Sequence, residues 1–234
     1  MLKKYIEKYP THISFIMDGN GKWAACVNLK RFWGHYIGAK KTFLTIQHLG
    51  SVNIRYSSFY AFSIENWFRK IKEITKIFGL IIYFMIKYSK YFSKSLNFIL
   101  IGRISKVPIL IKNIFIIINK NISFLKKRSA LIHISYSGQQ DIVRCLKDVI
   151  LNKIKYNSIS THFIRDYYIA TQNIINPGIL IRCGNQNRIS NFLLWQIIYT
   201  EIYFLNAFWP CFTVNKLKLI LKYFSFNFRT YGRV

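Results

Sequence analysis

Acidic residues are scarce in this chain, with 8 Asp and Glu against 35 Lys and Arg and a formal net charge of +27 over 234 residues. Proline and glycine are sparse too, at 4 and 11. No repeat or low-complexity linker divides the sequence, so residues 1–234 read as one domain, long enough to bury a full core. The four cysteines, Cys26, Cys145, Cys183 and Cys211, form no CxxC pair and no metal-ligand spacing with the five histidines. That argues against a disulfide framework or a zinc site. No N-terminal stretch has the length and flanks of a signal peptide. Apolar runs such as Ile77–Met85 and Ile114–Ile118 fall short of a bilayer span, and lysines interrupt their surroundings. The expectation is a soluble, cytoplasmic protein.

Hydrophobic residues make up 52% and aromatics 18%, which excludes a disordered chain. Ile, Lys, Asn, Phe and Tyr dominate, the skew of a very AT-rich coding sequence. The positive charge is spread along the chain rather than gathered in a block. It therefore reads as compositional drift more than as a nucleic-acid footprint. Excess charge of one sign also opposes compactness, so marginal stability is expected.

Short β-prone runs recur at His12–Met17, Tyr56–Phe62, Asn97–Ile101, Ala130–Tyr136, Gly178–Arg182 and Ile202–Leu205. Several are continuously apolar, as in strands covered on both faces. Stretches with helical character lie at Ile71–Phe92, Lys106–Lys120, Gln139–Lys155 and Val214–Phe224. This alternation predicts an α/β fold: a mostly parallel central sheet of about six strands flanked by helices. Ligands of such sheets sit beyond the carboxyl ends of the strands, and the unusual polar residues cluster there.

The first cluster is Asp18-Gly19-Asn20-Gly21-Lys22-Trp23, between a strand and a helix. Its glycines allow positive φ and close approach of backbone amides to an anion. Asp18 would repel a bare phosphate, so a bridging magnesium ion would reconcile the two. Alternatively Asp18 is only a helix cap. Arg31 and His35 follow on one helical face. They are either two cations suited to a diphosphate or a solvated basic face.

The second cluster runs through Ser63, Glu65, Asn66, Trp67 and Arg69. Ser63, Asn66 and Arg69 could position a polar substrate, or Ser63 could cap the next helix. In the third, Arg182, Arg188 and Ser190 bracket a polar loop suited to a phosphate group. Glu201, eleven residues beyond Ser190, is an ion-pair partner or a metal ligand. Ile77, Leu80, Ile81 and Phe84 recur at helical spacing on one apolar face. These residues alone describe an enzyme acting on phosphate esters of apolar molecules.

In order along the chain, HISFIMDGNGKW, RFWGH, YAFSIENWFR and ILIRCGNQNRISNFLLWQIIYTEIYF…WP resemble the motif blocks of the undecaprenyl diphosphate synthases, the cis-prenyltransferases. The likeness spans His12 to Trp209, and the Asp-Asp-x-x-Asp motif of trans-type enzymes is absent. The resemblance implies a homodimeric enzyme with a hydrophobic tunnel; whether Ile77, Leu80, Ile81 and Phe84 form its wall or ordinary core stays open. It would condense isopentenyl diphosphate onto an allylic diphosphate, farnesyl diphosphate being the expected primer, and release product to the membrane. It implies Mg2+ at Asp18 and Glu201, the latter across the dimer, and no nucleic-acid partner. Gly19, Asn20, Gly21, Lys22, Trp23, Arg31 and His35 would surround the allylic diphosphate. Ser63, Glu65, Asn66, Trp67 and Arg69 match the substrate-positioning block, with Asn66 beside Asp18 as a catalytic candidate. Arg182, Arg188 and Ser190 match the isopentenyl diphosphate clamp.

The chain departs from the family pattern in places. Lys22 stands for arginine, and Gly184-Asn185-Gln186 for Gly-Gly-Glu. Cys183 replaces a hydroxyl residue, and Gly178 and Cys211 each replace an aspartate. Ser135-Tyr136-Ser137-Gly138-Gln139 stands for Asn-Tyr-Gly-Gly-Arg. Most of these positions surround the site rather than face the substrate, so activity, at a reduced level, is the expectation. The alternatives are an impaired or shorter-chain cis-prenyltransferase, or a non-catalytic binding protein on the same fold.

Overall fold

A computed structural model of the chain describes residues 9–52, 54–92, 96–120, 128–172 and 175–227. Strand β1 (His12–Ile16) leads through α1 (Asn20–Cys26) and α2 (Arg31–Ser51) to β2 (Tyr56–Ser63). A 3-10 turn at Ile64–Phe68 then opens α3 (Ile71–Phe92), followed by β3 (Leu96–Ile101), α4 (Ile109–Lys120) and β4 (Arg128–Tyr136). Helices α5 (Gly138–Leu151) and α6 (Thr161–Gln172) precede β5 (Ile179–Arg182) and β6 (Glu201–Phe204), and α7 (Val214–Phe226) closes the described chain. The six strands form one sheet in the order β3-β4-β2-β1-β5-β6, and every adjacent pair is parallel.

The strands expected from sequence lie within two residues of those observed, because the buried middle strands leave little freedom of register. All five residues of β1 and all four of β5 are buried. Alternate side chains feed two cores. Ile13, Phe15, Ile179 and Ile181 face the larger one, under α2, α3, α4 and α7. Ile16 and Leu180 face a smaller one, closed by Phe192, Leu193 and Ile197. Helix α3 spans the residues expected of it. Helix α4 starts at Ile109 rather than Lys106, since Pro108 lacks an N–H yet its carbonyl accepts from Ile111 and Lys112. Helix α5 ends at Leu151 rather than Lys155, where Lys153 turns to φ 48°. The sequence reading left out α6, although Ser160 caps it through the Phe163 N–H at 3.1 Å. The four cysteines are free. Among the described residues no helix is long and apolar enough to cross a membrane.

One polar chain crosses the sheet interior. The His12 Nδ1–H donates to the Ile175 carbonyl, and Ser58 Oγ lies 2.8 Å from His12 Nε2 and 3.2 Å from His133 Nε2. With its Nδ1 protonated, His12 accepts the Ser58 hydroxyl at Nε2 only as a neutral imidazole, while His133 donates its Nε2–H to the same oxygen. Burial supplies this: it pushes His12 down to about 4 and His133 well below its ordinary value. The unfolded chain, with histidines near ~6.5, takes up protons at pH values where the folded chain does not. Stability is therefore full above about pH 7 and falls as the pH drops from about 6.5 towards 4, by up to about 1.4 kcal/mol per unit for each ring. Urea titrations along this range should show a falling midpoint, and a flat midpoint would contradict the neutral pair.

Candidate active site

Strand β1 pairs with β2 on one side and β5 on the other, so the chain reverses its direction across the sheet at β1. The crevice beyond the carboxyl ends at such a point is where open α/β sheets bind ligands. Asp18 lies two residues past β1 and Arg182 ends β5, level with Ile16. Arg182 Nη2 donates to Asp18 Oδ2 at 2.9 Å, with the arginine side chain 3% exposed and the aspartate 44%. Asp18 is thus a half-open carboxylate with a buried guanidinium behind it. Its Oδ1 accepts the Gly19 N–H at 2.7 Å.

The turn holding Asp18 depends on two glycines with positive φ, Gly19 at 90° and Gly184 at 103°. A Cβ on Gly184 would come within 2.8 Å of the Asp18 Cβ, and one on Gly19 within 2.5 Å of the Phe208 ring. Gly21, by contrast, is an ordinary helical residue of α1, set against the Arg31 guanidinium. Asn20 donates to the Met17 carbonyl at 3.2 Å, while its buried Oδ1 has no hydrogen-bond partner among the described residues, and Asn20 borders an apolar cavity. Lys22 is exposed and Trp23 half-buried.

Arg31 and His35 do share a face of α2, and both turn to Glu73 on the first turn of α3. Glu73 Oε1 lies 3.1 Å from Arg31 Nε, 2.9 Å from Arg69 Nη1 and 3.6 Å from His35 Nε2. Partial burial opposes charge on Glu73, but the Arg31 and Arg69 guanidinium groups hold its pKa below the usual carboxylate value. His35 is not the second cation that its spacing from Arg31 suggests. Burial, reinforced by Arg69, lowers it to about 4, so the imidazole is neutral near pH 7. Glu73 was missed in the sequence, although an acid four residues after Arg69 in so basic a chain was a signal. Glu73→Ala should free all three side chains and raise the KM for an anionic substrate by about tenfold. Glu73→Gln keeps an acceptor oxygen and should lose less. A parallel fall in kcat with unchanged KM would contradict this role.

In the second block Ser63 caps the 3-10 turn, as one of its two readings had it, with the Ser63 N–H donating to Asn66 Oδ1 at 3.1 Å. Trp67 packs on Phe62 and Phe78, and its indole N–H donates to Ser135 Oγ at 3.0 Å. Asn191 was also passed over. Its Nδ2 donates to Glu65 Oε1 at 3.2 Å and Ser137 Oγ at 2.9 Å, while its Oδ1 accepts the Gln139 N–H at 3.0 Å. It ties the third block to the second. Arg182 Nη1 donates to Ser190 Oγ at 2.7 Å and to the Arg188 carbonyl, while the Arg188 side chain is exposed. Four non-glycine residues between Asn185 and Leu193 hold positive φ, backbone strain of the kind that accompanies functional loops. Burial pushes the Cys183 thiol up to about 12, so it is an inert packing group.

From this polar rim a cavity of about 690 Å³, counting its open mouth, runs between the sheet and helices α2 and α3. His35 and Asn20 stand among its lining, and Ile77, Leu80, Ile81 and Phe84 all line it. Ile77, Leu80 and Phe84 belong to the larger core as well, so this face of α3 is at once core and cavity wall.

Glu201 stands apart. It opens β6 level with Ile179, at the amino end of the sheet, and its Oε2 accepts from the Tyr203 hydroxyl at 2.8 Å and from Asn227 Nδ2 at 3.1 Å. Three strand residues, roughly 10 Å, separate its level from that of Arg182. One chain alone does not bring it to Asp18. Among the described residues no three His, Cys, Asp or Glu side chains converge as a metal cage. A single half-open carboxylate does fit magnesium, which is commonly held by one or two carboxylates with substrate phosphates and water.

The chain matches the family model described as "Putative undecaprenyl diphosphate synthase" over residues 16–232. It is 35% identical over 236 residues to an isoprenyl transferase of Prochlorococcus marinus, covering 97% of this chain and 85% of that one. It is 32% identical to the (2E,6E)-farnesyl-diphosphate-specific ditrans,polycis-undecaprenyl-diphosphate synthase of Buchnera aphidicola, covering 96% and 91%. The crystal structure of a probable undecaprenyl diphosphate synthase from Campylobacter jejuni superposes with a TM-score of 0.79 at 27% identity, covering 97% of this chain and 100% of that one. Lavandulyl diphosphate synthase from Lavandula x intermedia shares the fold, with a TM-score of 0.89 at 24% identity and coverage of 96% and 99%. A parallel sheet with its polar site at the strand reversal, an apolar tunnel behind it and these relatives agree: the chain belongs to the undecaprenyl diphosphate synthase family and is a prenyltransferase.

Proposed function

We propose that the chain condenses isopentenyl diphosphate units onto an allylic diphosphate, farnesyl diphosphate in the first place, and so builds a long cis-polyprenyl diphosphate. Undecaprenyl diphosphate, the lipid carrier precursor of cell-wall synthesis, is the product intended. The observation that carries this is the pairing of Asp18 with Arg182 at the sheet's reversal point, where Asp18 is next in the chain to Met17, which lines an apolar tunnel. Arg31, Arg69 and neutral His35 hold the allylic diphosphate beside the turn that runs from Asp18 to Trp23. Arg182, Arg188 and Ser190 hold the second diphosphate. The two anchored ends bring the isopentenyl double bond to the allylic carbon, turning an encounter into a positioned reaction. The allylic carbon–oxygen bond breaks, a carbon–carbon bond forms, and isopentenyl C2 loses a proton. Asn66, fixed by Ser63, belongs to the block that positions the reacting units. Magnesium held by Asp18 and the substrate's own phosphates would stabilise charge on the departing diphosphate. The growing tail is buried at roughly 25 cal/mol per Å² of apolar surface, which draws elongation forward.

The reading includes a homodimer in the cytoplasm, peripheral to the inner membrane face. Edge strand β6 supports the dimer, since Ile202 and Phe204 are partly exposed there beside exposed Ile198 and Tyr199. Glu201 would then reach a partner's site rather than its own. Labelled isopentenyl diphosphate, supplied with magnesium and allylic primers of several lengths, tests the whole reading when products are resolved by size. Folded protein that incorporates no label from any primer would sink it.

A further inference from the structure

Large apolar side chains stand in solvent around the Glu73 cluster, whose His35 lines the tunnel: Trp33 is 45% exposed, Ile71 78% and Phe68 92%. They belong to one surface. Arg31 and Arg69, each two residues from one of these side chains, meet on Glu73, and the Phe32 ring lies 5.7 Å from Trp33 while carrying Lys76 Nζ at 5.9 Å. Phe68 is set apart from its neighbours, since Phe62, Trp67 and Phe78 pack on one another. Lys70, Lys72 and Lys76 are exposed around it. The acids of this stretch, Glu65 and Glu73, are taken up by Asn191 and by the arginines, so the rim presents positive charge.

We infer that this rim is a docking surface for an anionic phospholipid bilayer. Trp33, Phe68 and Ile71 enter the headgroup–acyl boundary, and Lys70, Lys72 and Lys76 sit on the phosphates. Exposed aromatic and aliphatic groups ringed by lysine are the composition that interfacial binding uses. Charge complementarity selects the occupant. A second copy would bring the same basic rim against itself, from a chain of net charge +27. The inference rests on the prenyl-transfer reading for its purpose: a product leaving the tunnel on the His35 side would pass its tail straight into lipid.

Co-sedimentation of the full chain with vesicles tests it without any substrate, so its outcome is independent of catalytic activity. Vesicles of phosphatidylcholine with added phosphatidylglycerol should bind the protein at least about tenfold better than phosphatidylcholine alone. The variant Phe68→Ser/Ile71→Ser changes no charge and should lose about tenfold or more of that binding. Ile109→Ser/Ile116→Ser, on the exposed face of α4, should stay within about twofold. If the double variant fails to fold, Phe68→Ser alone serves, because so exposed a ring has little packing to lose. Unchanged vesicle binding in the rim variant would overturn the inference. So would an equal loss in the α4 variant, or no binding to either vesicle. A dimer that dissociates in the rim variant, seen by sedimentation velocity, would assign the face to a second copy instead.

Discussion

Asp18→Asn should reduce kcat/KM for isopentenyl transfer by a factor of about a hundred to a thousand or more, the cost of removing an electrostatic group aimed at developing charge. The substitution keeps the shape of the side chain and removes its charge. The lost carboxylate is the one that suits magnesium, and it also partners a buried guanidinium. Arg182 already donates to Ser190 and to the Arg188 carbonyl, so it has other acceptors when Asp18 is neutral. The asparagine also keeps an acceptor oxygen for the buried Arg182, so the loss of stability should be small beside the kinetic loss. The expected pattern is therefore a large kinetic loss with an almost unchanged thermal midpoint. Radiolabel incorporation measured beside a melting curve separates the two. Activity within tenfold of the wild type, in a folded variant, would remove Asp18 from the chemistry.

The sheet was legible because its strands are buried on both faces and read as short apolar runs such as ILIR, which leave one plausible register. Helix α3 was legible for the complementary reason: one face of it repeats as Ile77, Leu80, Ile81 and Phe84. Helix α6 was not, since its buried side is made of Phe163, Ile164, Tyr167 and Tyr168 within a polar stretch. The site's residues could be named from the sequence, but their relations could not. No spacing reveals that Glu73 gathers Arg31, His35 and Arg69, because the contacts cross from α2 to α3. The neutrality of His35 follows from its burial, which a motif does not carry. Asn191 escaped notice because its role depends on a left-handed backbone turn at φ 62° that sends its amide between two blocks.

Product length should lengthen in Phe84→Ala and shorten in Ala39→Leu. From Glu73 to Phe84 helix α3 rises roughly 17 Å at about 1.5 Å per residue, so Phe84 lies deep in the tunnel while Ala39 lies one helical turn beyond His35. Phe84 is 1% exposed and stacks on Phe43 with centroids 5.8 Å apart, and Tyr88 closes the group at 4.8 Å from Phe43. These rings fill the space between α2 and α3 where a longer tail would go. A tail that grows past this point requires the Phe43–Phe84–Tyr88 stack to part. Removing the Phe84 ring opens the space in advance, at a stability cost of about 3–5 kcal/mol for a buried phenylalanine. Phe84→Leu gives a smaller opening at lower cost if the alanine variant does not fold. Leucine at position 39 narrows the tunnel near its entrance, so it should stop elongation early. Thin-layer separation of labelled products reads both shifts. An identical product ladder from wild type and both variants would mean that the tail grows elsewhere than between α2 and α3.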